Sequence, residues 1–69
     1  MTKDIKKNLA KNIKRLRKQK RLTQENLSLE LELDGSYIGK IENAKMNITI
    51  EKLDLIAKYF EVDTFELLK

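Results

Sequence analysis

Cysteine and histidine are both missing from these 69 residues. Without thiols no disulfide can staple the chain and no thiolate can act as a nucleophile. Without imidazoles as well, a structural zinc site is excluded, and carboxylates and backbone oxygens are the only ordinary metal ligands left. No carboxylates follow a calcium-loop pattern. Proline is missing too, and glycine occurs twice, so little interrupts helices. No β-branched alternation runs to strand length. No apolar run is long enough to span a bilayer, and the basic start lacks the uncharged apolar segment of a signal peptide. These absences predict one small all-α domain over 1–69, cytoplasmic, away from membranes and without a cofactor. Apolar burial, helped by a partner chain, is left to hold it.

The same gaps argue against an enzyme. Glu42 is a lone carboxylate, with no histidine, cysteine or second acid at a fixed spacing to complete an acid–base or nucleophilic set. No glycine-rich loop is present to cradle a nucleotide phosphate.

What the chain does have is charge, unevenly placed. Its net charge is +4. Residues 1–21 hold ten of the fifteen lysines and arginines against one acid, Asp4, or +9. Residues 22–69 hold five bases and ten acids, or −5. A basic first third suits a polyanion, because phosphate contacts supply much of nucleic-acid affinity. A solubilising lysine-rich helix is the plainer reading.

Helical periodicity runs through the chain and predicts five helices. The first spans Asp4 or Ile5 to Lys18, with Ile5, Leu9, Ile13 and Leu16 as its apolar stripe. Lys7, Lys11, Lys14 and Lys18 form a second stripe that faces solvent or phosphate. Thr23 is the expected N-cap of the second helix, with Leu27, Ser28 and Leu31 inward and Leu29 exposed. Leu33 anchors the following turn. Asp34 is the expected N-cap of a third helix that runs through Glu42 and buries Ile38 and Ile41. Thr49 caps the fourth, whose inner face is Leu53, Ile56, Ala57 and Phe60. Asp63 with Glu66 reads as a capping box for a short fifth helix. Phe65 and one or both of Leu67 and Leu68 close the core. Two helices of about two turns joined by a three- or four-residue turn, over about 23–42, have the spacing of a helix-turn-helix.

Leu22-Thr23-Gln24-Glu25 followed by Leu27, then Tyr37-Ile38 and Ile41-Glu42, resembles the phage-repressor type of helix-turn-helix domain, the Cro and lambda-repressor-like fold. The likeness runs from about Leu9 to Leu68. Within that family, Leu33-Asp34, Ser36-Tyr37-Ile38, Ile41-Glu42, Asn47-Ile48-Thr49-Ile50, Leu53, Leu55-Ile56 and Glu61-Val62 resemble the restriction–modification controller proteins. Small phage repressors and antitoxin-type regulators share most of this pattern. The family has glycine where Glu32 stands, so Glu32 is expected in a left-handed conformation, at a cost of about 1 kcal/mol. It has glycine or asparagine where Ala44 stands, so the neighbouring Asn43 is expected to take the left-handed turn. Proline is common in the wider family at Ile48. Gly35, Asn43 and Met46 replace long polar or basic residues, which weakens any inherited base specificity rather than the fold.

The resemblance implies a sequence-specific double-stranded DNA-binding transcriptional regulator and names its contacts. Thr23 and Gln24 start the second helix, Gln24 reaching a phosphate and bracing the recognition helix. Gly35, Ser36, Tyr37, Gly39 and Lys40 present the recognition helix. Lys40 can donate to guanine O6 and N7 or to a phosphate. Tyr37 can touch backbone or pack partly in the core. Gly39 and Gly35 permit close approach to DNA. Asn43, Lys45 and Asn47 grip backbone from the next loop, although Asn47 can equally be a local cap. Two roles are open to Arg17: a phosphate contact, or a pair with Glu42.

The family also implies a homodimer on a palindromic operator and allows contact with RNA polymerase. Ile50, Leu55, Tyr59, Phe65 and Leu68 are the candidates for the dimer interface, Leu55 and Tyr59 lying one turn apart off the inner stripe. A protein-interaction module on the same scaffold is the competing reading, supported by the scarcity of bases after Arg21. Non-specific RNA binding has little basis, with one tyrosine near the reading face.

Overall fold

The computed structural model describes residues 2–69, and its five helices are α1 (Lys3–Gln19), α2 (Gln24–Glu30), α3 (Tyr37–Glu42), α4 (Ile50–Phe60) and α5 (Thr64–Leu68). The five-helix all-α expectation holds. α1 packs on α3 and α5, α2 packs on α3, and α4 packs on α5. Leu9, Ile13, Leu27, Ile38, Ile41, Ile56 and Leu67 are completely or almost completely buried between them. No helix among the described residues is long and apolar enough to cross a membrane.

Local chemistry starts most of the helices. Thr2, Thr23 and Thr49 are extended N-caps whose hydroxyls accept from the N–H groups of Ile5, Asn26 and Lys52. The ends share a design. After α1, α2 and α4, a left-handed residue (Arg21, Glu32, Glu61) turns the chain, and the next N–H bonds back to a helix carbonyl: Leu22 to Arg17, Leu33 to Ser28, Val62 to Ala57. This is the Schellman arrangement, and its apolar residue in each case packs against the core. Burial of Leu22, Leu33 and Val62 offsets a left-handed strain of about 1 kcal/mol per residue.

Four expectations need correction. Helix α3 begins at Tyr37, not after Asp34, because the Asp34 carboxylate is taken by Ser36: it accepts from both the Ser36 N–H and its hydroxyl. That local turn holds residues 34–36 out of the helix. The left-handed residue after α3 is Ala44 rather than Asn43, whose φ is −78°. Asp63 occupies the N-cap position of α5 without a side-chain hydrogen bond. Its expected box partner, Glu66, pairs with Lys69 at 3.1 Å. Phe65 is not a core residue but 67% exposed, since Leu67 is the residue of α5 that points inward.

Two polar links have no local signature in the sequence. The Asn8 and Asn12 side-chain amides donate to the carbonyls of Leu68 and Leu67, at 3.2 and 3.0 Å. They stand one turn apart on α1 and satisfy carbonyls at the end of α5 that have no helical partner.

Candidate nucleic-acid interface

Helix α3 has six residues, far too few to be stable alone. Its neighbours fix it at both ends. At the start, Ser36 makes no side-chain cap. The Ile38 N–H donates instead to the Ser28 hydroxyl of α2 at 3.0 Å, and that hydroxyl donates to the Gln24 carbonyl at 2.9 Å. Ser28 is fully buried, so one hydroxyl caps the recognition helix from across the turn. The sequence shows Ser28 facing inward but not which N–H it serves.

At the other end Glu42 gathers three elements. Arg17 Nε donates to Glu42 Oε2 at 2.7 Å and Arg17 Nη2 to Oε1 at 3.0 Å, a two-pronged pair. Arg17 Nη1 donates to the Leu22 carbonyl at 2.8 Å. Gln24 Nε2 donates to Glu42 Oε1 at 2.9 Å. Both charged side chains are buried, and the bond to Glu42 raises the Arg17 pKa above its ordinary value. Of the two roles open to Arg17, the pairing is the one seen. Three donors of its guanidinium are taken up by these partners.

Gln24 braces α3, as expected, and explains Gly39. A Cβ on Gly39 would lie 3.0 Å from Gln24 Oε1. The missing side chain therefore makes room for Gln24. Gly35 lies in the turn before α3, and a Cβ there would lie 3.4 Å from the Glu25 side chain. Neither glycine has a positive φ. Glu25 and Asp34 consequently give the front of α3 an acidic edge. The two bonds from Ser36 hold the Asp34 pKa below its usual value.

The outward residues are Ser36 and Lys40, both exposed, with Asn43, Lys45 and Asn47 exposed after the helix and Thr23 and Gln24 exposed at the start of α2. Lys40, Asn43 and Lys45 line one shallow groove together with Met46. Tyr37 is half-buried against the core, and burial raises its pKa. Among the described residues no group of histidines, cysteines and acids is placed to hold a metal ion.

The residues named for a dimer interface differ widely in exposure. Ile50 is 81% exposed and Phe65 67%, whereas Leu55 is 38% exposed and Leu68 half-buried. Tyr59 is half-buried too, edge-on to Phe60, with the Lys20 ammonium 5.4 Å above its ring. Ile50 and Tyr59 lie nine residues apart on α4, about 180° around it. Leu55 and Tyr59 line a groove with Leu31, Glu30, Glu32 and Lys58.

A helix-turn-helix family model matches residues 13–67. The chain is 35% identical over 65 residues to control protein C.MunI of Mycoplasma sp, covering 93% of this chain and 88% of that one. It is 35% identical to control protein C.SmaI of Serratia marcescens, covering 94% and 77%. The crystal structure of restriction–modification controller protein C.AhdI from Aeromonas hydrophila superposes with a TM-score of 0.80 at 27% identity, over 90% of this chain and 94% of that one. A hypothetical transcription factor, NHTF from Neisseria, superposes with a TM-score of 0.88 at 28% identity, over 94% and 75%. The fold, the held recognition helix and these likenesses converge: the chain belongs to the helix-turn-helix family, as a DNA-binding regulator related to restriction–modification controller proteins.

Proposed function

We propose that this protein is itself a restriction–modification controller, binding a palindromic operator as a homodimer. The observation that carries the reading is the outward face of α3. A six-residue helix is fixed at both ends by buried bonds, yet leaves Ser36 and Lys40 to solvent. Such rigidity without a packing role on the outer face suits insertion into a major groove. The similarity to control proteins over nearly the whole chain supports the narrower assignment.

In this reading Lys40 donates to guanine or to a neighbouring phosphate, and Ser36 meets a base edge. Gln24 and Thr23 reach the backbone at the rim of the groove. Asn43, Lys45 and Asn47 hold it on the other side. Tyr37 lies against a sugar with the part of its ring left exposed. Ile50 and Phe65 have the most apolar area to bury against a second copy, about 1.5–3 kcal/mol each if fully covered. Leu55, Tyr59 and Leu68 have less to offer. Contact with RNA polymerase belongs to the same reading.

The test is affinity for an inverted-repeat duplex against scrambled DNA across a salt series. Steep salt dependence with clear preference for one palindrome is expected. Equally weak binding to every duplex, with tight binding to a protein, would replace this reading with that of an interaction module. The acidic edge formed by Glu25 and Asp34 is the observation favouring that second reading. Sedimentation at tens of micromolar should show a dimer, weakened by I50E and F65E; a monomer would remove the palindrome.

A further inference from the structure

Of the ten bases in residues 1–21, Arg17 is the only one in an ion pair among the described residues. Lys7, Lys11, Lys14 and Lys18 are all exposed on α1. Each stands two residues from Leu9, Ile13 or Leu16, about 160° around the helix from a core-facing side chain. Lysines three and four apart on one face repel by a few tenths of a kcal/mol per pair. The only acid on α1 is Asp4, three residues before Lys7, and it forms no ion pair with the stripe among the described residues.

The far end of the stripe stands away from the reading helix. Arg17 bonds Glu42 at the end of α3, so that part of α1 lies beside the reading helix. Lys7 is ten residues away, about 15 Å along the axis. Physiological salt screens exposed charges beyond about 8 Å. Lys14 and Lys18 lie nearest a duplex on α3, whereas Lys7 and Lys11 lie farthest from it and are free to meet other phosphates. The stripe is a regular line of ammonium groups with no exposed apolar residue among them. A protein partner would need an apolar or aromatic anchor; a nucleic-acid backbone needs only charge.

We infer that the Lys7–Lys11 end of α1 holds a second DNA segment, so that the protein bound at its operator can bridge two duplexes. This rests on α3 being the operator face. The test tethers operator duplex to a surface, loads the protein, and measures capture of a labelled duplex lacking the operator. K7Q/K11Q changes exposed side chains only, and circular dichroism checks its fold. Wild type should capture the second duplex. The variant should lose capture by at least about tenfold while its operator affinity changes by less than about twofold. Operator binding without capture by wild type would overturn the inference. So would a variant losing operator affinity and capture in equal measure, because the stripe would then serve one duplex. Failure of wild type to bind any operator would instead remove the reading of α3 beneath it.

Discussion

Helices α1 and α3 are built on different terms. α1 has seventeen residues, a threonine cap and a continuous apolar stripe. α3 has six, no side-chain cap of its own, and a glycine in its middle. The longer helix owes much of its form to its own sequence; the shorter is defined by Arg17, Gln24 and Ser28, which belong to other helices. Charge divides in the same way. α1 and its following turn carry most of the basic residues, whereas the turn before α3 presents Asp34 with Glu25 packed over Gly35. Basic charge and the proposed reading face are therefore separated within one small domain, and the Arg17–Glu42 pair joins them.

That junction is where the contrast breaks most readily. Replacing Glu42 with alanine leaves the buried Arg17 without its partner and Gln24 without its acceptor. A loss of about 3 kcal/mol is expected in urea unfolding, a large share of a small domain's stability. A loss within experimental error would mean that α3 does not depend on the pair. S28A should be the next most severe. It strands the Ile38 N–H in the core and should cost about 2 kcal/mol, with α3 amides exchanging faster than those of α1. Equal acceleration in both helices would erase the distinction drawn between them.

Smaller changes sharpen the comparison. E32G relieves a left-handed non-glycine residue in the turn between α2 and α3. It should stabilise by up to about 1 kcal/mol, less the greater freedom glycine gives the unfolded chain. Destabilisation would show that the Glu32 side chain contributes more than its backbone costs. The smallest effect concerns pH. Because Ser36 lowers the Asp34 pKa, the folded state takes up this proton less readily than the unfolded one. The contribution is complete above the usual aspartate range and disappears as pH falls through the lowered value. D34N should flatten that acid limb by lowering stability slightly at neutral pH while leaving it nearly unchanged in acid.

Much of the fold is legible where local rules and packing agree. Leu53, Ile56, Ala57 and Phe60 show the inner face of α4 by spacing alone, and all four are buried. Thr23 and Thr49 announce their helices and cap them. Reading fails where one side chain has two partners within reach. Asp34 satisfies Ser36 instead of starting α3, and Glu66 meets Lys69 instead of closing a box. Ala44 takes the left-handed turn because it follows the α3 cap, although Asn43 suits that conformation better. The Arg17 choice between phosphate and Glu42 is tertiary, and spacing cannot decide it. Of the candidate interface, the outward residues were legible from resemblance, whereas the reason for Gly39 required the position of Gln24.

Selection of bound duplexes from a random pool tests most directly whether α3 is the reading element. Wild type should enrich a palindrome with half-sites about one helical turn apart, and S36A/K40A should lose that enrichment while keeping its fold. No enrichment by wild type, or the same palindrome from the variant, would contradict the account.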